Sequence, residues 1–215
     1  MDTLTRARRP VAALAVSTGV LATAFVLLAV AAAHSQRLME FDEQVTDVVV
    51  SHRTAALTAV FRVVTFFGGV AQATVITIVA AAVIWKRQRS PLPALVFAGA
   101  VGLAGTISSL TKLTVGRPRP PADIRMTGLT NYAYPSGHVT ATTSVVATLL
   151  VLTAGAAVGV RLWLGLLATL IVAAMAASRV YLGAHWLSDT VGGALLGTTA
   201  AGLAAVVLRV WAEPG

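Results

Sequence analysis

Three short stretches of this chain carry residue types that could act together on an anion. The last runs from Ser178 and Arg179 through His185 to Asp189, with the histidine and aspartate four residues apart. On a helix that spacing puts both on one face. A carboxylate that accepts from one imidazole nitrogen fixes the tautomer and leaves the other nitrogen free as nucleophile or base. The middle stretch, Tyr134-Pro135-Ser136-Gly137-His138, directly precedes an apolar run. Pro135 and Gly137 shape a turn, and Ser136 can cap the helix that follows. Free N–H groups at the start of that helix suit a phosphate, and His138 could exchange a proton near neutral pH. The first stretch, Lys112 to Pro120, crowds Lys112, Arg117 and Arg119 around a helix exit set by Gly116, Pro118 and Pro120.

Each stretch alone has a plainer reading: snorkelling basic residues, an ordinary capped helix with an interfacial histidine, or a polar pair that fastens two helices. Together they supply four cations, a helix N-terminus, two histidines and one carboxylate. The positive charge exceeds what one aspartate can neutralise, and phosphate is the anion that best fits forked arginine donors and a helix end. The chain has no cysteine, so a thiolate nucleophile is excluded. It has no Gly-rich loop ending in Gly-Lys-Ser/Thr. Between Asp47 and Glu213 the only acids are Asp123 and Asp189, too few for a Mg²⁺ or two-metal site. A histidine nucleophile working without metal or other cofactor is what remains.

The elements that must position these residues are membrane helices. The 215 residues are 57% hydrophobic and 11% charged, against about 25% charged in soluble domains. Mean hydropathy is +0.82. Six apolar runs are long enough to be read as spans: 11–33, 67–85, 91–111, 139–158, 162–178 and 190–210. Residues 54–66 place Leu57, Val60, Phe61 and Val64 on one helical face, which predicts a short interfacial helix. The run after Arg6, Arg8 and Arg9 ends in Ala31-Ala32-Ala33 but is longer than a signal-peptide core, so it reads as an uncleaved helix. These arginines and Lys86, Arg87 and Arg89 put both termini and the 86–90 loop in the cytoplasm. Residues 34–66, 112–138 and 179–189 then lie outside, although the basic 112–125 segment breaks the charge rule. The net charge of +8 has no aromatic-interleaved basic stripe with it, so nucleic-acid binding is not expected.

These residues resemble the signature of the type 2 phosphatidic acid phosphatase superfamily. Lys112 with Arg119-Pro120, then Pro135-Ser136-Gly137-His138, then Ser178-Arg179 with His185 and Asp189 match its three motifs in order. The resemblance implies a single all-α integral membrane domain over 1–215, with six transmembrane helices. It implies that His185 attacks phosphorus, Asp189 orients it, and His138 protonates the departing oxygen and then activates water. It assigns the phosphate to Lys112, Arg119, Arg179, Ser136 and the Gly137 N–H. Arg117 lies outside the pattern and is assigned to a headgroup contact; Tyr134 and Trp186 are assigned to a lipid pocket.

The expected protein is therefore a multi-pass enzyme of the cell membrane with its site on the outer side, acting without cofactor. Undecaprenyl diphosphate is the first substrate expected, with phosphatidic acid or phosphatidylglycerophosphate as alternatives. A non-catalytic lipid or anion transporter is the competing reading. Gly192, Gly193 and Gly197 permit close helix packing, within the bundle or between protomers, so oligomeric state stays open.

Overall fold

A computed structural model describes residues 3–212, with side chains from Val11 to Trp211. The side chains of Arg6, Arg8 and Arg9, and Glu213, lie outside the described residues. The described residues form eight helices and no strand: α1 Thr3–His34, α2 Gln36–Ser51, α3 Ala55–Phe67, α4 Val70–Gln88, α5 Pro91–Val115, α6 Gly137–Val151, α7 Val158–Tyr181 and α8 Leu187–Ala212.

Local chemistry sets the boundaries. Ser35 and Thr54 cap α2 and α3, each accepting from the backbone N–H three residues on at 3.2 Å. Pro91 opens α5, where its missing N–H costs nothing. Gly116 closes α5 at φ 62°, its N–H returning to the Lys112 carbonyl at 3.0 Å. Gly183 turns the chain between α7 and α8 at φ 64°.

Five helices, α1, α4, α5, α7 and α8, are long and apolar enough to cross a membrane. The fourth expected span differs. The 139–158 run becomes a 15-residue helix ending at Val151, followed by a turn. At 1.5 Å per residue α6 covers only about 22 Å. It is enclosed by α5, α7 and α8 and buries Thr140, Thr143, Ser144 and Thr148, so neighbouring protein supplies what a longer helix would. The short helix expected over 54–66 is present as α3, packed against α7 with Leu57, Val60 and Val63 exposed. The segment before it, read only as an acidic outer stretch, is the helix α2.

The long helices α1, α4 and α7 turn Val16, Leu27, Ile78, Val79, Leu167 and Leu170 outward, as lipid-facing surfaces do. Half of the apolar window of α8 is buried, against 6% for α7, so α8 is the central helix. Lipid tails are as apolar as leucine, and helices in a membrane are therefore held by close van der Waals contact through small residues. Ala100 and Ala104 of α5 meet Ala200 and Ala204 of α8. Gly202 accepts Thr18 of α1. Gly192, Gly193 and Gly197 all face the bundle interior, against Tyr134 and α6.

A Cβ on Gly197 would lie 2.6 Å from the Thr143 Cβ and 2.8 Å from the Ser144 backbone nitrogen. Gly197→Ala is expected to cost about 1–3 kcal/mol by overpacking. It should lower the thermal unfolding midpoint in detergent. Gly99→Ala, where a Cβ meets nothing within 4 Å, should not. Equal midpoints for the two variants would contradict the close α6–α8 approach.

Candidate active site

The three motifs meet at one end of the bundle, where α5 ends, α6 and α8 begin, and α7 ends. Backbone bonds lace them together. The Ser136 N–H donates to the Asp189 carbonyl at 2.9 Å, and the Ala133 N–H donates to the Arg117 carbonyl at 2.9 Å. Lys112 reaches out of α5 to the carbonyls of Tyr132 and Ala133, each at 3.1 Å, and to that of Pro135. It thereby fastens the approach to the second motif. Gly193 lets α8 lie against the start of α6, since a Cβ there would come within 2.7 Å of the Ser136 carbonyl oxygen.

His185 is 1% exposed, and its Nδ1 faces Asp189 Oδ2 at 3.4 Å. Its Nε2 faces Arg119 Nη1 at 3.1 Å. With Nδ1 protonated toward the carboxylate, Nε2 keeps its lone pair and accepts from the guanidinium. Asp189 Oδ2 also takes the Trp186 N–H at 2.9 Å, one of the N–H groups orphaned at the start of α8.

Arg119 is held by Asn131, whose carbonyl takes Nε and whose side-chain oxygen takes Nη2, both at 2.6 Å; its Nη1 also bonds the Ala184 carbonyl. Arg179 bonds Thr65 of α3 through Nη1, while its Nε and Nη2 have no partner among the described residues. Ser136 occupies the N-cap position of α6 without making the cap bond, and its buried hydroxyl is also unpartnered. Unspent donors of this kind, beside two histidines, are what an anion site requires.

Lys112, Arg119, Gly137, His138 and His185 lie at the polar end of a cavity of about 890 Å³. Its remaining wall is largely apolar, from Val70, Ala73, Ile78, Val101 and Leu113 of α4 and α5. Gly68, in the α3–α4 corner, packs against His138 and Met175; a Cβ there would lie 2.6 Å from the Met175 methyl carbon.

Three sequence-based expectations are corrected. Arg117 is no headgroup contact: it is 2% exposed and forked between two carboxylates, with Nη1 on Asp189 Oδ1 and Nη2 on Asp42 Oδ2, both at 2.7 Å. Tyr134 is wholly buried away from the cavity, stacked on Phe25 of α1 with its hydroxyl on the Phe25 carbonyl at 3.1 Å. Trp186 is buried too, donating to the Pro118 carbonyl at 2.8 Å. In sequence, apolar bulk next to a polar motif points to lipid contact, whereas these rings fill space behind the motifs.

Asp42 was missed. It comes from α2, where Leu38, Met39, Val45, Thr46 and Val49 share the inward face. The one signal available was an aspartate in the middle of that stripe. The second carboxylate matches the fourth cation, so Lys112, Arg119 and Arg179 keep their excess positive charge.

Residues 93–212 match the family model of the PAP2 superfamily. The chain belongs to that superfamily. No curated protein matches it by sequence. Among solved structures this PAP2 chain is similar to the transmembrane PAP2-type phosphatidylglycerolphosphate phosphatase from Bacillus subtilis, with TM-score 0.82 and 21% identity over 91% of this chain and 97% of that one. It is also similar to LpxE from Aquifex aeolicus, with TM-score 0.58 and 20% identity over 75% of this chain and 92% of that one. At these identities the likeness is one of fold. With its apolar helices, it makes this PAP2 chain a multi-pass integral membrane protein with the fold of those two structures.

Burial pushes the His185 imidazole well below its usual value of 6.5, and the charges of Arg119, Lys112 and Arg179 push the same way. The ring is therefore neutral at pH 7. Between the lowered folded value and 6.5 the unfolded chain binds more protons, so this group makes the protein less stable as pH falls through 6.5. A ¹⁵N-histidine titration of the protein in detergent, with no phosphate present, is expected to find His185 still neutral at pH 6.5. A midpoint at or above 6.5 would contradict the buried, cation-ringed placement.

Proposed function

We propose that this protein is a metal-independent membrane lipid phosphatase that works through a phosphohistidine. The observation that carries the reading is the position of His185, with Asp189 on Nδ1 and Arg119 on Nε2, at the polar end of an apolar-walled cavity. A lipid phosphate has that polarity: a dianionic head on a hydrocarbon body.

In the proposed reaction His185 Nε2 attacks the terminal phosphorus and its bond to the leaving oxygen breaks, the bridging oxygen in a diphosphate or the lipid alcohol oxygen in a monophosphate. His138, protonated in the complex with the dianion, gives its proton to that oxygen. His138 then takes a proton from water, the hydroxide attacks phosphorus, and the P–N bond breaks to release inorganic phosphate and restore neutral His185. Asp189 orients the imidazole and stabilises the positive charge it acquires. Arg179 offers two free donors and Ser136 one, with the Gly137 N–H beside them at the start of α6. Arg119 swings its Nη1 from Nε2 to a phosphoryl oxygen. The Lys112 donors already meet carbonyls, so in this reading it contributes charge and holds the 132–135 turn.

Undecaprenyl diphosphate is the specific substrate we propose first. Phosphatidylglycerophosphate is the rival, favoured by the fold likeness to a protein named for that activity. We place the site on the extracytoplasmic face of the cell membrane. Lys86, Arg87 and Arg89 at the α4–α5 turn, Arg161 near the start of α7 and Arg209 in the last turn of α8 all belong to the opposite end, where no acid lies among the described residues.

The test is phosphate release in detergent with excess EDTA from undecaprenyl diphosphate, phosphatidylglycerophosphate and phosphatidic acid. Release should persist in EDTA and fall about a thousandfold or more in His185→Ala. Loss of activity in EDTA, or its survival in His185→Ala, would overturn the mechanism. The fastest substrate decides the ranking.

A further inference from the structure

Asp42 has no part in the chemistry above, yet it is fully buried and takes three donors: Arg117 Nη2 at 2.7 Å, the Ser188 backbone N–H at 2.9 Å and the Ser188 hydroxyl. Docking α2 onto the bundle does not require a charge there. Its inward neighbours Leu38, Met39 and Val45 are apolar, and a buried ion pair is often no more stabilising than well-packed apolar residues. What the charge changes is Arg117. The guanidinium gives Nη1 to Asp189 Oδ1 and Nη2 to Asp42 Oδ2, and Ser188 ties the pair together by accepting from Nη1 at 2.6 Å while donating to Asp42. With Arg117 on Asp189 alone, the aspartate charge would be drawn toward the guanidinium and away from the imidazole. Shared between two carboxylates, Arg117 pins Oδ1 and leaves Oδ2 to His185 Nδ1 and the Trp186 N–H.

We propose that Asp42 is a positioning residue for phosphoryl transfer: through Arg117 it sets the orientation and effective charge of Asp189, and hence the basicity of His185. The proposal rests on the lipid phosphatase reading of this site. It reaches beyond the family-matched region, since Asp42 lies on α2 and the match begins at residue 93.

Asp42→Asn keeps the shape and an acceptor for Ser188 while removing the charge. It is expected to lower kcat about tenfold with KM within about twofold, the pattern of a lost supporting contact to a reacting group. The ¹⁵N resonance of His185 Nδ1, measured on the full chain in detergent, should move with it. In an Asp189→Asn background, adding Asp42→Asn should cost less than about twofold, because the two act through one contact. If Asp42→Asn does not fold, Ser188→Ala removes only the hydroxyl that ties Asp42 to Arg117, and a smaller loss of about threefold is expected by the same route. An unchanged kcat and Nδ1 resonance would overturn the proposal, as would an equal loss in both backgrounds. A wild-type protein inactive on every lipid would remove the phosphatase reading, and the Nδ1 resonance would still decide the role of Asp42: moved, it supports the proposal; unmoved, it overturns it.

Discussion

The site is organised around one buried guanidinium. Arg117 joins the α5–α6 loop to α2 through Asp42 and to α8 through Asp189, and all three groups are withdrawn from solvent. An ion buried without a partner costs several kcal/mol, so none of the three can be placed independently of the others. The start of α8 completes the balance. Its orphan N–H groups at Trp186 and Ser188 are taken by Asp189 and Asp42, and both carboxylates sit where the helix dipole favours negative charge. The excess of one carboxylate over Arg117 is therefore met by the helix end. The charge of Lys112, Arg119 and Arg179 is left for the other side of His185.

Close approach of the helices is what lets that balance form. The α5 end, the α6 start and the α8 start carry one motif or part of one each, and each must come within hydrogen-bond reach of the others. The membrane offers no hydrophobic drive for this, so the contact is made by absent side chains. Gly193 and Gly197 bring α8 against α6, Gly192 admits the Tyr134 ring, and alanines join α8 to α5. Tyr134 then carries the second motif onto α1 through Phe25. Positions far from the cavity thus fix distances at it, and the cavity wall is free to be apolar and loosely constrained.

Much of this was legible in the residues. The three motifs appear in order at spacings that a helix end or tight turn can satisfy, and five of the six apolar runs are helices long enough to span. Hydropathy could not give the length of α6, because an enclosed helix does not have to match the bilayer. It also could not give α2. That helix is amphipathic around an aspartate, and the stripe of Leu38, Met39, Val45 and Val49 looks interrupted unless a buried cation is known to meet Asp42. Arg117 was misjudged for the complementary reason. In sequence it is one of three basic residues at a helix exit, and only the approach of α2 distinguishes it from the two that face the cavity. A pair of opposite charges brought together from distant segments leaves no local pattern.

The same logic bears on the basic 112–125 segment, which an outward-facing site would set against the charge rule. The rule counts the lysines and arginines of short loops whatever their later partners, so it reads them all alike. Here Arg117 is neutralised by two acids, and Arg53 spends Nε on the Tyr181 carbonyl and Nη1 on the Ile124 carbonyl, both at 2.8 Å. Arg119, Arg179 and Lys112 point inward to carbonyls, a threonine and the cavity. The basic residues of the opposite end have no such internal duties and no acid beside them among the described residues. The two ends differ in use: charge at one has no internal partner among the described residues, and charge at the other is folded into a site whose Arg179 and Ser136 donors stay unspent.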